Sequence, residues 1–344
     1  MRRLYIKIFS WEYWPTWVVY FPVSFYFLYL AIKARSFFFF SASNPTIETG
    51  GMFFESKWKI FQLVPKEYYP TTILVHGCES IESIEQRMNF AGIEFPIIAK
   101  PDRGERGWGV KKIVSIEELD VYKAALNVSF LVQCFINYPI EMSVFYYRHP
   151  AQNKGMITSV TLKKLLTITG NGFSTVDELI QRNDRSFLQY DKLKKQNRID
   201  FSYIPAAGEQ HLLVPYGNHV LGATFLNYNH IIDEQLTDTI DTISQRIDGF
   251  YFGRYDLRCN SIEDLKIGKN FSILEVNGAG AIPAHIYEPG FSFFKAQLTI
   301  ARHFGMMYQA ARENNKRGVP YMSYKEFKNT QKLEKAYRLN VSIL

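Results

Sequence analysis

Two short runs of alternating residues in the last third of the chain do most to limit how it can fold. Residues 253–258 read Gly-Arg-Tyr-Asp-Leu-Arg, and residues 271–277 read Phe-Ser-Ile-Leu-Glu-Val-Asn. Side chains of an extended chain alternate between faces, so Arg254, Asp256 and Arg258 share one face, and Glu275 and Asn277 share a face of a second strand. The polar segment between them, Asn260 to Asn270, has the composition of a hairpin loop, so the two strands are expected to pair antiparallel. Two carboxylates and an amide oxygen then converge. Hard oxygen donors of this kind suit magnesium, which keeps several waters and shares its sphere with nucleotide phosphates. Arg254, one pleat from Asp256, would reach the same phosphates. Taken alone, the pattern fits an ordinary ion-paired strand face equally well.

A second chemical stretch lies upstream. Phe95 to Pro101 is an apolar strand that delivers Lys100 at its end, and the following loop to Val110 carries Gly104, Gly107 and Gly109. Glycines let such a loop close over phosphates and offer backbone N–H groups. Its spacing is neither G-x-G-x-x-G nor a loop ending in G-K-[ST]. Phe130 to Ile136 is another apolar strand, and after a break at residues 137–140 Glu141 opens an alternating strand to Arg148. A strand, a short turn and an acid fit an adenosine pocket, in which backbone groups read the adenine edge and a carboxylate takes the ribose hydroxyls. An edge-strand charge fits Glu141 equally well. Thr167 to Ile180 reads as a glycine turn and a helix capped by Ser174 or Thr175. Lys163 and Lys164 lie just upstream, where a mobile arm would carry them towards an anion. The run Asn218 to Phe225 precedes a helix from about Asp233 to Ile247. After Asn277 comes a small-residue loop, Gly278 to Ala281, whose backbone would approach a substrate, and then His285.

A length of 344 residues allows two or three subdomains with their own cores, and 47% hydrophobic against 21% charged residues describes a folded protein. The net charge of +7 favours anionic ligands or surfaces, but it is spread along the chain and nucleic acid is not indicated. Cys78, Cys134 and Cys259 are far apart with no C-x-x-C pair, which argues against a disulfide framework or a cysteine zinc site and fits a reducing cytoplasm. Aromatic residues concentrate near the N-terminus. Tyr13 to Ile32 carries no charge, and twenty helical residues span about 30 Å, the thickness of a bilayer core. Pro15, Pro22 and basic flanks on both sides (Arg2, Arg3, Lys7; Lys33, Arg35) argue instead for an aromatic helix lying in a membrane interface at its inner face, or packed on the protein itself. Phe37 to Phe40 is expected to be a buried strand, and Thr49-Gly50-Gly51 an ordinary turn. Phe294, Leu298, Ala301, Phe304, Tyr308 and Ala311 share one face of a core helix.

The order of these parts resembles the ATP-grasp superfamily: lysine strand, glycine loop, strand-turn-acid, arginine–aspartate strand and glutamate-x-asparagine strand. Phe95 to Ile113 is similar to the lysine strand and phosphate loop of D-alanine:D-alanine ligases, and Gly170 to Ile180, with Asn218 and Gly222, is similar to the ATP-grasp part of cyanophycin synthetases. The resemblance implies an α+β fold in which two subdomains grip ATP. Residues 1–56 would be an aromatic N-terminal region, 57–136 a linker and the small subdomain, 137–290 the large subdomain with the metal site, and 291–344 C-terminal helices. It implies that Lys100 and Lys57 bind ATP phosphates together with Gly104, Arg106, Gly107 and Gly109. Gln133 and Ile136 would line the adenine hinge, and Glu141 would hold the ribose. Arg254 would stabilise the transferring phosphate, and Asp256, Glu275 and Asn277 would bind magnesium or manganese. His219, Gly278 and His285 would line an amine site, and Arg258 would meet a substrate carboxylate or balance Glu275. The implied activity is ATP-dependent joining of a small carboxylate, an amino acid or short peptide, to an amine; a kinase-like or purely nucleotide-binding protein at a membrane surface is the alternative.

Overall fold

The uncharged stretch near the start folds as helix. In the computed structural model, which describes residues 1–104, 107–196 and 199–341, α1 (Arg2–Phe9) is followed by α2 (Thr16–Ala34), with Pro22 inside it. Among the described residues α2 is the one helix long and apolar enough to cross a membrane by length and composition. One side of it is buried: Val19 and Val23 meet Ile286, Ala296 and Ile300, while Leu30 and Ala31 join Phe39, Met307 and Tyr308. The expected strand at Phe37–Phe40 is absent, and Phe39–Ala42 is a 3-10 turn instead. Ser41 and Ser43 donate their hydroxyls to the carbonyls of Phe38 (2.8 Å) and Phe40 (2.7 Å), three residues back. Such local bonds compete with a sheet ladder. The expected burial does hold for Phe39 and Phe40.

After α3 (Lys57–Leu63) comes the smaller sheet. Its strands are β1 (Thr72–Val75), β2 (Ile97–Pro101), β3 (Lys111–Ile113) and β4 (Phe130–Cys134), in the order β1-β4-β2-β3 with every pair antiparallel. Helices α4 (Ile81–Ala91) and α5 (Ile116–Ala124) begin at serine caps, Ser80 and Ser115, each accepting from the N–H three residues on. Ile84, Met88, Leu119 and Tyr122 from these helices close one core with Val75, Ile97, Ala99 and Val132.

The larger sheet opens with β5 (Ile140–Tyr147) and β6 (Met156–Lys164). The chain then leaves it for a separate ladder, β7 (Leu166–Thr169) with β8 (Gln210–Val214), backed by α6 (Val176–Arg182) and α7 (Asp184–Gln196). It returns as β9 (Thr224–Asn227), passes through α8 (Glu234–Gln245), and finishes the sheet with β10 (Phe252–Cys259) and β11 (Phe271–Asn277). The order is β11-β10-β5-β6-β9, again antiparallel. The loop joining β10 to β11 contains a short helix, α9 (Ile262–Lys266), because Ser261 accepts from the Asp264 N–H at 3.0 Å. Leu236, Ile240 and Ile243 of α8 pack against Val144, Tyr255, Leu257 and Ile273, and Ile60 of α3 joins them.

Two long helices complete the chain. Along α10 (Phe293–Lys316), Ala296, Ile300, Met307, Tyr308, Ala310 and Ala311 are buried. Helix α11 (Tyr324–Val341) touches both halves: Phe327 lies 4.9 Å from the Phe38 ring, while Tyr337 accepts from the Arg103 N–H at 3.2 Å and Val341 enters the smaller core.

Candidate active site

The two sheets face each other across a cavity of about 1150 Å³. From the smaller sheet comes Lys100, buried at the end of β2. Its ammonium donates to Gln133 Oε1 on β4 and to the Leu274 carbonyl on β11, each at 3.0 Å, and sits 5.0 Å from the centre of the Phe61 ring. It therefore spans both sheets. Burial pushes its pKa down to about 8, against the opposing pull of Glu275 and with help from Lys57. Gln133 is held in turn by Thr72 Oγ1 at 2.9 Å.

The glycine loop is anchored at its base. Asp102 accepts from Ser56 Oγ (2.9 Å) and from the Trp58 N–H (2.8 Å), so it caps α3, and Lys57 at the start of that helix donates to the Gly104 carbonyl. Gly107 has φ +73°, and a Cβ there would lie 2.7 Å from Asn218 Nδ2. The loop thus reaches the larger subdomain and roofs the cavity. Gly109 turns at φ +69°, and Arg106 lies outside the described residues.

The floor is β10 and β11, paired as Arg254 with Asn277 and Asp256 with Glu275. Asp256 accepts from Arg254 Nε (3.0 Å) and Nη2 (2.9 Å) and from Ser143 Oγ (2.5 Å); Lys163 Nζ lies 3.3 Å away and Asn277 Nδ2 3.4 Å. Burial acts to raise its pKa, but Arg254 and then Lys163 outweigh it and hold the carboxyl well below the usual carboxylate range. Glu275 lines the cavity, where its carboxylate pulls electrostatically on Lys100 and Arg254 but, among the described residues, forms no side-chain hydrogen bond or ion pair. No group of three His, Cys, Asp or Glu side chains gathers as a metal site among the described residues. The donor set, two carboxylates with an amide, still fits magnesium or manganese chemically. Glu275 opens onto the cavity, whereas Asp256 is held by Arg254, Lys163 and Ser143.

Arg258 lines the cavity, and among the described residues it forms no ion pair with Glu275. It forms a two-pronged pair with Glu141, which faces it on β5, through Nε (3.1 Å) and Nη2 (2.9 Å), and donates to the Ile136 carbonyl at 3.1 Å. The residues expected at the ribose and the adenine hinge are thus fixed by one guanidinium. A Cβ on Gly217 would come within 2.0 Å of Glu141 Oε1, so a larger residue there would have to displace this carboxylate. Nearby, Lys112 Nζ stands 4.0 Å from the Phe135 ring centre, giving the cavity a flat, positively charged wall.

His219 lies in the cavity wall, with Nε2 3.3 Å from Glu12 Oε2 and its ring stacked on Tyr13 at 5.9 Å. Glu12 also pairs with Arg185 at 2.9 Å, so the N-terminal segment forms part of the site. His285 does not line the cavity. Its Nδ1 lies 2.6 Å from Ser159 Oγ under β6, and burial pushes its pKa down to about 4, which makes it a neutral internal residue. Gly278 faces away too: it packs on the Gly50–Gly51 turn, where a Cβ would fall 2.4 Å from the Gly50 carbonyl. Ala279 and Gly280 donate to Gly50 and Gly51 (2.9 and 2.8 Å), and with Ala281 they line the cavity instead. Sequence reasoning placed Lys163 on a mobile arm, but it is buried in β6 between Asp256 and Glu141, at 3.3 and 3.7 Å. The usable signal was alternation along β6, which aligns Lys163 with Thr161 opposite Ser143.

Two subdomains face a cavity, one bringing the lysine strand and its glycine loop and the other the arginine–aspartate and glutamate–asparagine strands, so this is an α+β protein whose parts stand in the order that the ATP-grasp resemblance implies. No family model matches the chain, and no curated protein matches it. Similar solved structures include a bifunctional glutathione synthetase from Pasteurella multocida (14% identity, TM-score 0.39, 71% of this chain) and a D-Ala:D-Ser ligase from Enterococcus faecalis (13%, 0.43, 77%). A D-alanine–D-alanine ligase from Bacillus anthracis is similar at 12% identity and TM-score 0.42, over 79% of this chain and 69% of its own. The chain spans 35% of the length of the first and 62% of the second.

Proposed function

We propose that the protein is an ATP-dependent carboxylate–amine ligase that forms an amide or peptide bond through an acylphosphate. The reading is supported above all by the convergence of Lys100 and Arg254 on one cavity with the uncommitted carboxylate of Glu275. Lys57, Lys100 and the backbone of Gly104, Gly107 and Gly109 would hold the phosphates, while Gln133, Ile136 and Glu141 would hold the adenosine. A substrate carboxylate oxygen attacks the γ-phosphorus and the bond to the ADP oxygen breaks. The amine nitrogen then attacks the acyl carbon, loses a proton, and phosphate leaves with the C–O electron pair. Positioning and charge neutralisation dominate such chemistry, so Arg254 would turn from Asp256 to the transferring phosphate, and the roof loop would keep water from the intermediate. A divalent magnesium or manganese ion held by Asp256, Glu275 and Asn277 would supply further charge neutralisation for the phosphates. His219 would border the amine. ADP release from the full chain with ATP and magnesium is expected only when an acid and an amine are both present. Release with an alcohol and no acid would replace this reading by a kinase, and absence of ATP binding would remove both.

The same reading includes peripheral contact with an anionic membrane through residues 13–32, which for an ATP-using protein means the cytoplasmic side. Trp17, Phe21, Phe25, Leu28, Tyr29 and Ile32 are exposed on the outer side of α2. No Asp or Glu occurs between Glu12 and Glu48, while Lys33 and Arg35 stand at the end of the helix. Such a face suits an interfacial helix. Co-sedimentation with phosphatidylcholine vesicles containing phosphatidylglycerol is expected to fall at least about tenfold in a Trp17→Glu, Phe21→Glu variant, since each change removes an aromatic anchor and adds a repelled charge. Equal pelleting of both proteins would exclude this contact.

A further inference from the structure

The cavity continues past the phosphate end. Tyr20 of α2 is near enough to Arg254 to act on it electrostatically, and from Tyr20 a train of rings leads away. Tyr20 lies 6.4 Å from Phe304, and Phe304 5.4 Å from Phe27. On the opposite flank Phe38 lies 4.9 Å from Phe327, which lies 5.7 Å from Phe53. All six rings line the same cavity as Lys100 and Glu275. Phe27, Phe38, Phe53 and Phe304 pack on the core with one side, yet protein interiors fill space to crystal-like density and the other side of these rings borders open volume that an apolar group would fill. The volume points the same way: about 1150 Å³ lies above the usual range of roughly 300–1,000 Å³ for pockets holding one drug-sized ligand. A nucleotide with a small polar amino acid would leave the ring-lined end empty. Water there would find few polar partners.

We infer that the carboxylate substrate is an amphiphile: its head group meets Arg254, and an acyl or aryl tail fills the annex between α2 and α11. The inference rests on the ligase reading for what happens to the head group, whereas occupation of the annex stands apart from it. Two measurements separate them. The first is titration calorimetry of acetate, hexanoate and octanoate, below micelle concentration, into the full chain with magnesium and a non-hydrolysable ATP analogue. Affinity is expected to rise about three- to fourfold per methylene until the annex is full, as for apolar surface leaving water, with one molecule bound per chain. The second is the same titration on Met52→Trp, since Met52 lines this end of the cavity and an indole there would fill it. The chain-length dependence is expected to flatten at least tenfold for octanoate, with nucleotide affinity as the control for folding. Octanoate binding no tighter than acetate, or unchanged in Met52→Trp, would overturn the amphiphile assignment. ADP release with short acids and amines would leave the ligase reading standing in that case. Tight, Met52-sensitive octanoate binding with no ADP release from any acid–amine pair would keep the annex and remove the ligase.

Discussion

Replacing Glu275 by glutamine is expected to lower kcat for ADP release by about 10²–10³-fold, the usual cost of deleting one electrostatic contact at a site of charge transfer. The melting temperature is expected to stay within a few degrees, because the Glu275 carboxylate has no side-chain hydrogen bond or ion pair to lose among the described residues, and its backbone pairing with Asp256 is kept. Asp256→Asn is a different experiment. It leaves Arg254 and Lys163 facing a neutral amide in a buried site, and breaking a buried pair in that way costs about 3–5 kcal/mol. Lost activity in Asp256→Asn therefore mixes chemistry with stability, and Glu275→Gln separates them. Steady-state kinetics with a thermal melt decides: full turnover in a well-folded Glu275→Gln protein would remove the metal strands from the mechanism.

Lys100→Met should cut kcat/KM for ATP by about 10³-fold, because the phosphates lose the cation that joins the two sheets and the replacement is nearly isosteric. The intact site adds a pH signature. With Lys100 held at about 8, kcat/KM for ATP is expected to be flat below that pH and to fall about tenfold per unit above it, as the free enzyme loses the ammonium. Stability moves the other way. The folded pKa lies below the value of 10.5 for an unperturbed lysine, so between about 8 and 10.5 the unfolded chain binds the extra proton. Rising pH then favours the folded state through this residue. Loss of ATP use without loss of fold above pH 8 identifies Lys100, and a Lys100→Arg protein should carry its activity to higher pH. A wild-type profile flat to pH 10 would exclude a lowered Lys100 pKa as the source of the pH dependence, leaving the loss in Lys100→Met as the test of its role.

The strongly periodic elements were legible because their side chains announce a face. Arg254, Asp256, Glu275 and Asn277 alternate, and the antiparallel pair they predicted is the one that formed. Lys100 could be placed because an apolar strand ends on it. What stayed hidden depends on strand order. Arg258 meets Glu141, 117 residues away, only because β10 lies beside β5, and Lys163 reaches Asp256 only because β6 lies beyond β5. His285 gave no sign that Ser159 would cover it. The run Phe37–Phe40 had a strand's composition, but neighbouring serines bound its backbone first. Least visible was the part taken by the N-terminal region: Glu12 at His219, Tyr20 near Arg254, and the Gly50–Gly51 turn under the loop after Asn277.

Helix α11 gives the cleft a clasp. It is pinned at Phe327 to the aromatic N-terminal region and at Tyr337 and Val341 to the smaller sheet, beside the base of the glycine loop. Any swing of the smaller sheet away from β11 must drag this helix along or unseat one of its ends. A helix far in sequence from Lys100 and Arg254 thus ties the smaller sheet to the aromatic N-terminal region.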